Sequence, residues 1–163
     1  MDAVKLYLQL YSYLENKTPL SFDCGKICKK ACCKSEYDDA GMYLFPRERE
    51  VYTNLPKWAR IEKSDFCYDG ECVDIFICNG TCSRDLRPLA CRIFPLTPYV
   101  KDGKLDVIID PRGKGICPLA NVSDEFCYAV KNVSELLFKI KDTRKYIYIL
   151  SKQIDEFKNQ LNF

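Results

Sequence analysis

Apolar positions recur at helical spacing at the start of the chain, where Val4, Leu8, Tyr11 and Leu14 predict a short amphipathic helix over residues 3–14. The periodicity then stops. Residues 24–33, "CGKICKKACC", follow a loop containing Pro19, and 34–42, "KSEYDDAGM", is polar and reads as a further loop. Its Glu36, Asp38 and Asp39 are taken as an exposed acidic stretch in preference to ligands of a hard cation. Pro46 suits the first turn of a helix over 46–52, ended before Asn54 and Pro56. "CVDIFIC" (72–78) reads as a strand entered from the turn "YDG". A helical turn is expected near 84–91, within a constrained loop dense in Cys, Arg and Pro. In "YVKDGKLDVIID" two β-rich runs flank Asp102-Gly103, the signature of a tight hairpin turn.

The last third is helical. Ser123 caps a short helix to about Lys131, and Asn132 with Glu135 forms a capping box for a long helix over 132–162. In it Val133, Ile140, Ile147, Ile154 and Leu161 recur every seven residues, with Leu136, Thr143, Leu150 and Phe157 three later. This stripe is read as packing along the chain's own domain, against residues 3–14, in preference to a dimerising coiled coil, because one seam does not fix a partner. The prediction is a single α+β domain over 1–163. It has an antiparallel hairpin or sheet (about 72–78, 92–100 and 104–110), cysteine-rich loops, an N-terminal helix and a long C-terminal one.

Composition narrows the function classes. Apolar residues make up 47% and aromatics 13%, which argues against disorder. The net charge of +2, from 25 basic and 23 acidic residues, makes no bulk electrostatic case for nucleic acid or an anionic membrane. Asp2 stands where a signal peptide would be positive, and no stretch approaches the roughly 20 apolar residues that span a bilayer. The expected compartment is the cytoplasm, where thiols are kept reduced.

That compartment changes how the eleven cysteines are read. An odd count leaves one sulfur over in any fully paired scheme, so ligation is preferred to disulfide stapling. On a helix Cys24, Cys28 and Cys32 would share one face, and Lys26, Lys29, Lys30 and Lys34 would stabilise their thiolates. All-sulfur ligation restricts the metal to zinc, iron–sulfur or copper(I). No C-x2-C pair occurs, which disfavours zinc knuckles and thioredoxin-like chemistry. Ala31 occupies the third cysteine position of the radical-SAM spacing, and that class is rejected. The absence of histidine removes Ser-His-Asp, Cys-His and H-E-x-x-H chemistry. Arg84, Arg87 and Arg92 flank Cys82 and Cys91, where guanidiniums offset thiolate charge, with capture of an anionic substrate as the alternative.

"CGKICKKACC" with "LRPLACRIFPL", supported by "GMYLFPRE" and "DPRGKGICPLA", resembles the cysteine-cluster family of zinc- or iron-chelating domains called YkgJ-like, over roughly residues 22–120. The resemblance implies eight metal-ligating positions: Cys24, Cys28, Cys32, Cys33, Cys78, Cys82, Cys91 and Cys117. Arg87 and Arg92 stand beside them as supporting cations. Cys67, Cys72 and Cys127 fall outside the pattern and are read as ordinary half-buried thiols, a local Cys67–Cys72 pair being the lesser alternative. Flagellin lysine N-methylases carry a similar cysteine domain, which implies methyl transfer as an enzymatic alternative, with sulfur transfer as another activity such a centre could serve.

The expected function is therefore a thiolate metalloprotein, with a [4Fe–4S] cluster favoured over Zn2+ and room for a second ion. A monomer is favoured. A third possibility is a metal-handling module that engages a protein partner, or a second copy, through the C-terminal helix.

Overall fold

Asp2 opens the first helix, α1 (Ala3–Tyr13), by accepting the Val4 N–H at 3.0 Å. The computed structural model describes residues 2–34, 41–80, 82–119 and 121–161, so the acidic stretch of Glu36, Asp38 and Asp39 lies outside the described residues. The face that α1 buries keeps Tyr11 and Leu14 of the predicted one but not Leu8. Leu6, Tyr7, Leu10, Tyr11 and Leu14 are inside, while Leu8 is 51% exposed. The two tyrosines decide this, because each hydroxyl finds a partner within the fold. Tyr7 donates to the Pro46 carbonyl (2.8 Å) and Tyr11 to the Glu48 carboxylate (2.5 Å).

The expected helical face of Cys24, Cys28 and Cys32 does not form. Helix α2 is one turn, Gly25–Cys28, closed by the Lys30 N–H on the Gly25 carbonyl with Lys29 left-handed (φ 52°). Lys30 is left-handed as well, and a 3-10 turn, Ala31–Cys33, follows. The helix expected over 46–52 shrinks to the 3-10 turn Glu48–Val51, with the Glu48 side chain drawn inward.

Strand β1 (Met42–Tyr43) pairs with β3 (Glu71–Cys78), whose other edge carries β2 (Ala59–Tyr68), all antiparallel. The sequence reading missed β2. Its residues, ARIEKSDFCY, are largely exposed, and a register shift between Lys63 and Cys67 breaks the alternation that would have marked it. Asp69 and Gly70 make its turn with φ of 51° and 81°, and a disulfide joins the facing residues Cys67 and Cys72. That bond corrects the reading of these two as ordinary thiols.

Helix α3 (Leu89–Ile93) leads through a cis Phe94–Pro95 bond into β4 (Leu96–Lys101), so the strand expected over 92–100 starts later. Strand β5 (Lys104–Ile109) returns across Asp102-Gly103, both at positive φ (50° and 75°), the two-residue turn read from the sequence.

Ser123 caps α4 (Asp124–Lys139) by accepting the Phe126 N–H at 3.2 Å. The boundary expected at Asn132 is absent. Asn132 lies inside α4 and bonds the Tyr13 hydroxyl (3.1 Å). The break comes at Ile140, which is extended, before α5 (Lys141–Leu161). The Thr143 hydroxyl holds this corner, 2.6 Å from the Leu137 carbonyl and 3.2 Å from that of Ile140. One helix over 132–162 is therefore corrected to two. Most of their stripe faces the chain's own core, where Val133, Thr143, Ile147, Leu150 and Ile154 are buried, but Leu136 and Leu161 are exposed, and the two helices pack mainly on β4, β5 and each other instead of on residues 3–14.

These elements share one contiguous apolar cluster running from Leu6 of α1 to Ile154 of α5. Ser151 docks α5 on the sheet by accepting the Val100 N–H (2.9 Å). The architecture is a small α+β fold with two antiparallel sheets. Among the described residues no helix is long and apolar enough to cross a membrane.

Candidate metal centre

The cysteine-bearing loops meet at one corner of this frame. Cys24 begins α2, where Asp23 accepts the Gly25 N–H (3.0 Å), and Cys28 ends it. Cys32 and Cys33 lie on the following 3-10 turn. Cys78 is the last residue of β3, and Cys82 follows the turn at Gly80 (φ 87°). A Cβ at Gly80 would stand 2.9 Å from the Cys33 carbonyl, so a glycine is what lets this loop close on the 3-10 turn. Cys91 rides on α3. Cys117 is carried by a loop that Asp110 starts, capping the Arg112 N–H at 2.9 Å, and its own N–H bonds the Gly113 carbonyl at 2.8 Å.

All eight cysteines of the sequence pattern line two adjoining cavities. Cys24, Cys28, Cys32, Cys91 and Cys117 border the first, and Cys32, Cys33, Cys78, Cys82 and Cys91 the second. The other three cysteines are elsewhere: Cys67 and Cys72 form the hairpin disulfide, and Cys127 packs against the core.

Most of the thiols whose acidity is shifted hold their protons more tightly than usual. The hydrogen bond with Cys33, then burial, pushes the Cys82 thiol up, and burial pushes Cys91 and Cys24 up. The bond between Cys32 and Cys33 raises Cys33 and lowers Cys32. Loading a metal must expel these protons. As they stand, no three Cys, Asp or Glu side chains among the described residues are close enough together to hold an ion. In kind the donor set suits a soft metal.

The three arginines divide their work. Arg84 donates to the Glu15 carbonyl (2.7 Å) and the Lys17 carbonyl (3.3 Å), tying the loop to the end of α1. Arg92 is buried and braces the same loop from inside, donating to Arg87 O (2.7 Å), Arg84 O (2.7 Å) and Asp85 O (3.1 Å), 4.3 Å above the Tyr11 ring. Arg87 faces the sulfurs: it bonds Cys82 and lies near Cys33 and Cys91, and although burial weakens its hold on its own proton, these sulfurs more than offset that. Its Nε is buried without a hydrogen-bond partner among the described residues. That orphaned donor suits a site intended for an anionic group.

Sequence reasoning missed the group that aligns this corner. Glu48 is fully buried and accepts three donors: the Tyr11 hydroxyl (2.5 Å), the Leu89 N–H (2.6 Å) and the Phe45 N–H (2.8 Å). The Leu89 bond fixes the first residue of α3, two positions before Cys91. "GMYLFPRE" and "LRPLACRIFPL", remote in the chain, are thus joined by one carboxylate. In "FPRERE" nothing distinguishes Glu48 from Glu50, which is exposed and pairs with Arg47; a tertiary contact alone separates them.

Compared with known protein families, curated proteins and solved structures, the chain matches none.

Proposed function

We propose that this protein is a thiolate metalloprotein, with an iron–sulfur cluster, [4Fe–4S], preferred to zinc as its occupant. The observation that carries the reading is selective placement. Eight cysteines spread over residues 24–117 line two adjoining cavities, and the three outside the sequence pattern do not. Chance burial of thiols would not sort them so. The order of the blocks agrees with the YkgJ-like pattern, to which we assign the chain on the same grounds. The missing C-x2-C knuckle favours iron–sulfur over zinc.

Bound there, the group would supply one-electron chemistry and hold together loops that have little apolar packing of their own. The protein's part is to present the thiols, with Arg87 offsetting their charge and Glu48 holding α3 in place. The reading assigns the protein to the cytoplasm. An exposed disulfide across a single turn is open to reduction there and does not argue against it. Anaerobic purification, a visible spectrum and total metal analysis test the proposal. Brown colour with stoichiometric iron and sulfide is expected. Colourless protein holding zinc would replace the cluster with zinc, and protein holding no metal would end the reading.

A further inference from the structure

We propose that the eight thiols form two separate four-thiol centres divided at the vicinal pair, with Cys24, Cys28, Cys32 and Cys117 in one and Cys33, Cys78, Cys82 and Cys91 in the other. This rests on the metalloprotein reading and adds the number of centres and their membership.

The cavities themselves give most of the division. Three thiols border only the first (Cys24, Cys28 and Cys117) and three only the second (Cys33, Cys78 and Cys82). Two stand in the shared wall, Cys32 and Cys91, so each cavity gains a complete set of four if the wall residues go one each way. Their neighbours assign them. The sulfurs that act most strongly on Cys91 are Cys82, Cys33 and then Cys78, all of the second group, with Cys32 also within reach across the wall. Cys32 feels Cys28 and Cys24 of the first group in addition to its bonded neighbour Cys33 and Cys91 across the wall. With Cys91 taken by the second set, Cys32 completes the first.

Local geometry supports the split. Cys32 and Cys33 share a 3-10 turn and their thiols are hydrogen-bonded to each other, yet Cys33 borders only the second cavity while Cys32 reaches the first, so the boundary between the two sets falls within the vicinal pair. Surroundings differ too. The thiols near Arg87 are Cys82, Cys33 and Cys91, all in the second group. Cys24, by contrast, has Asp23, Cys28 and Cys117 beside it. Arg87 borders both cavities and bonds Cys82 of the second set, while Arg84 and Arg92 border the first, so the two centres differ in how their charge is offset.

Cobalt(II) titration of the full-length, metal-stripped chain under anaerobic reducing conditions tests this, read by sulfur-to-cobalt charge-transfer absorbance. Two equivalents should bind to the wild-type chain. Cys117→Ser and Cys78→Ser should each bind one, and the double variant Cys67→Ser/Cys72→Ser should still bind two. A single equivalent in the wild type, or either single variant losing both, overturns the partition while leaving the metalloprotein reading intact. No cobalt bound, together with no iron or zinc in the purified protein, defeats the metalloprotein reading itself. Cadmium-113 NMR of the wild type needs no variant to fold. Two resonances of equal intensity in the all-sulfur region support two centres, and one resonance overturns them.

Discussion

Replacing Glu48 by glutamine should loosen the cysteine corner from a position that holds no sulfur. Glutamine keeps the shape of the side chain and one carbonyl oxygen, which can serve two donors. Its amide nitrogen, itself a donor, is left facing the third of Tyr11, Leu89 and Phe45. One buried donor without a partner costs about 1–3 kcal/mol. For a chain of this size that lowers Tm by roughly 2–12 °C. Glu48→Ala strands all three donors and removes the carboxylate near Arg92, and should cost about 3–5 kcal/mol.

The charge state adds a second signature. Burial pushes the Glu48 carboxyl above its ordinary value of 4.5, while Tyr11, the two backbone amides and Arg92 pull it back. The surroundings can accommodate a proton. The Tyr11 hydroxyl lies 3.2 Å from that of Tyr52, which reaches the Leu86 carbonyl at 3.2 Å, so the hydrogens of the row can reverse and accept one from Glu48. The folded chain then holds this proton to higher pH than the unfolded chain does. Its contribution to stability is complete below 4.5 and declines as pH rises from there through the folded pKa. Glutamine cannot titrate, so that decline should vanish. Urea denaturation of metal-stripped protein, followed by circular dichroism and by the fluorescence of the lone Trp58, measures both effects across this range. A Glu48→Gln variant within about 0.5 kcal/mol of wild type, the scatter of neutral surface changes, refutes the anchoring argument. An unchanged pH slope refutes the titration argument.

Other expectations bear on the same corner. Arg87→Gln removes the charge that pulls the Cys82 and Cys91 thiols downward, so the midpoint pH of cobalt uptake should move up; an unmoved midpoint counts against that role. Gly80→Ala combines a left-handed backbone with a Cβ against the Cys33 carbonyl and should cost about 1–3 kcal/mol and weaken metal retention. Gly115→Ala, which meets open space, serves as its control, and equal losses in the two would discredit the argument. The Cys67–Cys72 disulfide closes only a short loop, so reducing or removing it should lower the urea-derived stability by about 2 kcal/mol with metal content unchanged. A loss of metal would place these sulfurs in the site.

Where the sequence was legible, the signal was local and geometrically demanding. Asp102-Gly103 marks a turn because two positive φ angles leave few alternatives, and Ser123 marks a helix start because it satisfies an otherwise orphaned N–H. The eight cysteines were picked out by a resemblance to a cysteine-cluster pattern, and the structure gathers them around adjoining cavities even though the helix invoked to align Cys24, Cys28 and Cys32 is absent. The inward face of α1 was only partly legible: Tyr11 and Leu14 are buried as expected, whereas Leu8 gives way to Tyr7, whose hydroxyl finds its acceptor in the distant Pro46. Strand β2 was invisible because its partner, not its own pattern, makes it a strand. Asn132 offered a plausible cap that packing overrode, moving the break to Ile140.

What the sequence determined alone was therefore the α+β class and the turns. Only the tertiary structure decided which arginine faces the sulfurs, which carboxylate holds α3, and which cavity each thiol borders. These depend on residues tens of positions apart meeting in a low-dielectric interior, where a buried donor or charge must find its partner and the nearest one in sequence has no advantage.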